Sequence, residues 1–186
     1  MSERKPIFES VHFLNEGFLD TLQFETDPNT LKDFKKEALK ITETMNEIVS
    51  GEATSGVFGS ILGAKMNRAT EKIEKDDPNK VYIISFTYKE ILKAAGEKHG
   101  FKDLFFLYYN KCFKPIDECA RKCGYKEIKS SNKNFHSYTK KAKSGVMYNM
   151  DYALSSDNMV NIYIRCLEDT DENRAILVGG KQYLED

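Results

Sequence analysis

Three cysteines, Cys112, Cys119 and Cys123, stand in Cys-x6-Cys-x3-Cys spacing, with His99 and His136 near them in sequence. Thiolates and imidazoles are zinc ligands, but tetrahedral sites draw on pairs two to four residues apart on a turn, and no Cys-x2-Cys occurs. The three cysteines instead continue a stripe of Phe101, Phe105, Tyr108, Cys112, Ile116, Cys119 and Cys123 at steps of three and four. That spacing puts them on the apolar face of a helix, where a thiol serves as a small core residue. The expectation is no metal centre and no cofactor.

The segment "SGVFGSILGAK" has the glycines of a phosphate loop but not its order. Such a loop needs Gly-x4-Gly-Lys-Ser/Thr between a strand and a helix, so that backbone N–H groups point at the phosphates. Here the spacing is wrong, Asn67 rather than a hydroxyl follows, and no strand precedes. The glycines suit close approach of another element: Gly56, Gly59 and Gly63 offer no side chain, while Phe58 and Ile61 supply contact area. Each glycine weakens a helix by about 1 kcal/mol against alanine, so the piece folds by packing.

Catalytic motifs are lacking. His12, His99 and His136 sit in no His-Glu-x2-His, Cys-His or Gly-x-Ser-x-Gly context. The carboxylate pairs Glu25/Asp27, Asp76/Asp77 and Asp169/Asp171 fall in polar turns. No catalytic residue is assigned, and a non-enzymatic role is expected.

Charge offers a different chemistry. From Lys111 to Lys143 there are ten Lys/Arg against three Asp/Glu, whereas the whole chain has net charge −1. Lys126, Lys129, Lys133, Lys140, Lys141 and Lys143 alternate there with Phe135, His136 and Tyr138. Cations for phosphates and rings for bases are what a single-strand binder uses. The competing reading is a solvated sheet edge guarded by lysines.

The elements that would position these residues follow from periodicity. Leu31, Phe34, Ala38, Ile41, Met45 and Ile48 mark a helix capped by Asn29 or Thr30 and ended by Gly51. A second, charged helical stretch ends at Asp77-Pro78-Asn79, and "KVYIISFTY" from Lys80 to Tyr88 reads as a strand. "KEILKAAGEKHG" is a short helix, and Pro115 followed by Asp117 and Glu118 starts another or kinks the one it interrupts. "YKEIKS", "NFHSYTKKA", "VMYNMDYAL" and "MVNIYIRCLE" alternate as antiparallel strands with turns at Ser144-Gly145 and 155–158. The tail, broken by Gly179-Gly180, reads as an edge strand or docking arm. The fold class is α+β: a helical N-terminal half, then a mainly antiparallel sheet of about four strands packed on helices.

At 186 residues, 40% hydrophobic and 31% charged, the chain suits one globular domain. Four cysteines, unevenly spread, fit reduced thiols and cytoplasmic synthesis. No apolar run reaches the roughly twenty residues of a membrane span. Ahead of the domain, residues 29–186, residues 1–28 form an apolar docking segment, since Phe8, Val11, Leu14, Phe18 and Leu22 share one helical face.

Within that segment Ile7-Phe8-Glu9 and Leu14-Asn15-Glu16 both fit Ile/Leu-x-Glu. This resembles the cut pattern of prohead proteases in large tailed bacteriophages, and "LNEGF" near an N-terminus is similar to internal proteins of such virions. The resemblance covers about the first 25 residues and implies a structural or assembly protein of a tailed-phage virion, with other protein subunits as partners and the virion as destination. The second functional expectation is a small single-stranded nucleic-acid-binding module using residues 125–143.

Overall fold

The structure, a computed structural model, describes residues 22–50, 57–87, 114–128, 135–154 and 159–183. The expectations placed on Phe8, Val11, Leu14, Phe18, Gly56, His99, Lys129 and Lys133, and on the stripe from Phe101 to Cys112, fall outside those residues.

The first helix, α1 (Pro28–Ser50), begins one turn's fraction earlier than the sequence suggests. Asp27, not Asn29 or Thr30, caps it: its Oδ2 accepts from the Thr30 N–H at 2.9 Å and the Thr30 hydroxyl at 2.9 Å. Pro28 then takes the first helical position, where its missing N–H costs nothing. The expected stripe is the buried one. Phe34, Ala38, Ile41, Met45 and Val49 are inside, with Leu31 and Ile48 packed at the margin.

Helix α2 (Val57–Lys75) runs antiparallel along α1. Lys35 Nζ donates to the Glu74 and Asp76 carbonyls, Thr70 Oγ1 donates to Thr42 Oγ1 at 2.7 Å, and Asn46 Nδ2 donates to Asn67 Oδ1 at 2.8 Å. The glycine-spaced segment is thus the first half of a continuous helix, with Phe58, Gly59 and Ile61 in its backbone. Gly63 faces Val49 of α1, and a Cβ added there would stand 3.7 Å from Val49 Cγ2. That is ordinary van der Waals contact. Gly63→Ala should therefore raise stability by about 1 kcal/mol, the helix-propensity difference, seen as a higher urea midpoint at unchanged slope.

Strand β1 (Val81–Thr87) follows, then α3 (Lys114–Lys122), β2 (Lys126–Ile128), β3 (Phe135–Lys141), β4 (Met147–Leu154), β5 (Met159–Leu167) and α4 (Asp171–Tyr183). The five strands form one antiparallel sheet in the order β1-β5-β4-β3-β2. Four of them are a meander, and β1 adds to its far side. Helix α3 ends in a hydrogen-bonded left-handed turn: Gly124 has φ 85°, its N–H donates to the Arg121 carbonyl, and the Tyr125 N–H donates to the Ala120 carbonyl. Both free carbonyls are satisfied, and the chain reverses into β2.

The tail is a helix rather than an edge strand or arm. Thr170 caps it, its Oγ1 accepting from the Asn173 N–H at 3.1 Å, and Asp171 and Glu172 place negative charge in the first turn. Those start signals outweigh the cost of Gly179 and Gly180.

Registry separates the faces of the sheet. On one, Tyr82, Ile84, Tyr138, Tyr148, Met150, Tyr152, Ile162, Ile164 and Cys166 build the main core with α1, α2 and α3. Phe34 sits between the Tyr82 and Tyr148 rings at 5.5 and 5.4 Å. On the other, a smaller core joins Met147 and Leu167 to Leu177 of α4 and to Leu22. Leu22, assigned by sequence to partner docking, is 6% exposed in its own chain. The following residues are tied down as well. Phe24 bridges to Leu167, the Glu25 N–H donates to the Cys166 carbonyl, and Asn173 Nδ2 donates to the Gln23 carbonyl.

Candidate functional site

Strand pairing places Arg165 of β5 beside Asn149 of β4, and Tyr163 beside Asp151, which in turn faces Ser137 of β3. All five side chains lie on the sheet face opposite the main core. They are buried: Arg165 is 1% exposed and Asp151 2%. Arg165 Nη1 donates to Asp151 Oδ2 and, at 3.0 Å, to Asn149 Oδ1. Asn149 Nδ2 reaches Asp151 Oδ1 at 3.1 Å, Ser137 Oγ at 3.2 Å and the Tyr138 carbonyl at 3.1 Å. The Arg165 guanidinium lies 4.7 Å from the Tyr163 ring centroid. One row along, Ser85 Oγ donates to Asn161 Oδ1 at 2.6 Å. Arg165 Nε has no hydrogen-bond partner among the described residues.

Chemically this is an ion pair locked by an amide on the central strands. Burying both charges costs several kcal/mol each, and their attraction returns this only with the hydrogen bonds in place. Such a cluster fixes register: a one-residue slip of β4 against β5 would leave both charges buried and unpaired.

A second polar group lies on the main-core face, where α3 meets the sheet margin. The Tyr138 hydroxyl donates to Asp117 Oδ1 at 2.8 Å, and Arg121 Nε donates to Asp117 Oδ2 at 2.9 Å and reaches Glu127 at 3.5 Å. His136 Nδ1 stands 3.4 Å from Glu127 Oε1. Nearby, Glu37 Oε1 accepts from Tyr125 at 3.1 Å and from Lys140 Nζ at 2.9 Å, with Lys140 over the Tyr125 ring. Burial, with the carboxylate beside each hydroxyl, pushes Tyr125 and Tyr138 well above the usual phenol value.

These contacts redefine the basic stretch. Tyr138 and Tyr125 are core residues whose faces are covered by the chain itself, so neither offers a base a stacking surface. Lys140 is held by Glu37, and Lys141 has Asp169 at 3.8 Å. Lys126 and Lys143 are exposed. Phe135 lies in β3 opposite Ala153. The charge excess counted in sequence is thus partly answered by acids distant in sequence.

The thiols occupy the main core. Cys119 Sγ donates to the Ile41 carbonyl at 3.4 Å, and Cys123 Sγ lies 3.6 Å from Thr44 Oγ1. Among the described residues no three His, Cys, Asp or Glu side chains are grouped to hold a metal ion, and no helix is long and apolar enough to cross a membrane.

The signal for the Arg165 cluster stood in the sequence as polar alternation, Asn149-x-Asp151 and Asn161-x-Tyr163-x-Arg165, but alternation alone reads as a wet face. Comparison with protein-family models, with curated proteins and with solved structures gives no match.

Proposed function

We propose that the chain is a non-enzymatic structural or assembly protein that docks on other protein subunits, most concretely as a component of a tailed-phage virion. The observation that carries the docking part is Ile83, a large apolar residue 53% exposed on the edge strand β1. The Cys166 N–H donates to the Lys80 carbonyl, so Lys80, Tyr82 and Ile84 turn their backbone groups toward β5. By antiparallel alternation Val81, Ile83 and Ser85 turn theirs outward. Lys65 Nζ reaches the Ser85 carbonyl at 3.4 Å and guards that end. On the side away from β5, Val81 and Ile83 have no strand beside them among the described residues.

An outward row of N–H and C=O groups beside an exposed isoleucine accepts a strand from another subunit. The simplest donor is a second copy, because an antiparallel edge is complementary to itself under a two-fold axis. The buried Arg165–Asp151 cluster supports this reading by holding the sheet, and therefore its edge, in one register. The virion placement is supported by the Ile/Leu-x-Glu pattern of the first sixteen residues.

Sedimentation velocity over a concentration range tests the docking. The full chain should associate reversibly, and Ile83→Lys should weaken association at least tenfold with its circular dichroism unchanged. Monomers at every concentration, in both proteins, would overturn the proposed docking.

A further inference from the structure

Two thiols that sequence pattern assigned to passive packing have a geometry with chemical consequences. Cys119 and Cys123 lie one helical turn apart at the end of α3, and the Cys123 N–H still donates to the Cys119 carbonyl at 3.0 Å. Both face a single turn of α1, Cys119 against Ile41 and Cys123 against Thr44. Each thiol is close enough to shift the other's ionisation, lowering Cys123 and raising Cys119. Cys166, the other described cysteine, lies on β5.

We propose that Cys119 and Cys123 form a redox-active dithiol that closes to a disulfide on reaction with a low-molecular-weight disulfide. In the first step the Cys123 thiolate attacks one sulfur of that oxidant. The oxidant's S–S bond breaks, one small thiolate leaves, and Cys123 carries a mixed disulfide. Cys119 then gives its proton to water and attacks Cys123 Sγ, and the second small thiolate leaves. The protein loses two electrons and two thiol protons, and the oxidant becomes two thiols.

Asymmetry within the pair assigns these roles. The contacts of Cys123 with Cys119 and with Thr44 bring its thiol down to about 6, whereas the contact with Cys123 and burial raise Cys119, whose S–H faces the Ile41 carbonyl. The nucleophile is the thiol that ionises first, and the other resolves.

Closure has a structural consequence. Side chains one turn apart on a helix hold their Cβ atoms about 5–6 Å apart, whereas a disulfide needs roughly 3.5–4.5 Å. The last turn of α3 must therefore tighten, disturbing the Gly124 turn and Tyr125 beyond it. Both thiols are buried, at 0% and 2% exposure, so the oxidant enters when that terminal turn opens. A strained bond of this kind is readily reduced, as in disulfides that switch rather than staple.

The test uses the full chain and its Cys112→Ser variant, treated with oxidised glutathione, alkylated, digested with trypsin and analysed by mass spectrometry. Trypsin cuts between the two cysteines, after Arg121 and Lys122, so the bond joins two otherwise separate peptides. The expected result, in both proteins, is a Cys119–Cys123 link that dithiothreitol reverses, with the oxidised form melting several degrees lower. Cys119→Ser should stop at a glutathione adduct on Cys123. Recovery of Cys119 and Cys123 as alkylated free thiols after oxidation would overturn the proposal, as would a link that requires Cys112 or joins Cys166.

Discussion

Asp151→Ala should destabilise the protein by about 3–5 kcal/mol, because it leaves the Arg165 guanidinium buried without its counter-ion. The loss would take a large share of the roughly 5–15 kcal/mol that holds an ordinary domain together. Urea unfolding at neutral pH, followed by circular dichroism, measures it. Arg165→Met should cost a similar amount, since it strands Asp151 among Asn149 and the Tyr163 ring.

The pair is nevertheless weak as a source of net stability. Replacing both members together, Arg165→Met with Asp151→Leu, should recover most of the single-variant loss, because neither charge is then left buried alone. Coupling in that double-mutant cycle of less than about 0.5 kcal/mol would contradict the ion pair as the organising contact of this face. What the double variant should lose is definition. Asn149 would keep Ser137 and the Tyr138 carbonyl as partners but lack the acceptor and donor that orient it. Exchange between strand registers, visible as broadened amide resonances in β4 and β5, would follow from that loss.

The fold class was legible because α1 and the strands carry strong periods. The stripe of Phe34, Ala38, Ile41 and Met45 and the alternation of Tyr148, Met150 and Tyr152 each name a core-facing side. Three features were not legible, each for a physical reason. Period-two alternation marks which residues share a face but not whether water reaches it, so nothing in the pattern singles out Asn149, Asp151 and Arg165 as buried. Charge counting is local, whereas Lys140 finds its partner Glu37 more than a hundred residues away in sequence. The end of the chain turned on start signals at Thr170 to Glu172, which a reading centred on Gly179-Gly180 underweighted. The glycine segment does pack on a helix at Gly63, but with room for a Cβ, so the neighbour does not depend on the missing side chain. That neighbour is α1 of the same chain.

Raising the pH should unfold the protein between about pH 9 and pH 12, and the tyrosines of the main core determine how steeply. Burial pushes the Cys166 thiol and the Tyr148 phenol each up to about 12. Tyr82, Tyr125 and Tyr138 are raised as well, chiefly by burial. In an unfolded chain thiols lose their protons near 8.5 and phenols near 10. Across the window between the two sets of values the folded chain holds protons that the unfolded chain has released. Stability therefore falls as pH rises, by up to about 1.4 kcal/mol per pH unit for each such proton. It is fully present below the unfolded values and is lost on the way to the folded ones. Cys123 has the opposite sign, since its thiol is lowered, and adds stability as pH rises from about 6. The double variant Tyr125→Phe with Tyr138→Phe removes two of the protons responsible while leaving Glu37 to Lys140 and Asp117 to Arg121. At pH 7 it should be less stable by about 1–3 kcal/mol, from two lost hydrogen bonds to carboxylates. Its stability should fall less steeply between pH 9 and pH 11, so that the two curves converge or cross. Parallel curves over that range would show that these phenols keep ordinary values in the folded chain, and that Glu37 and Asp117 do not hold their protons in place.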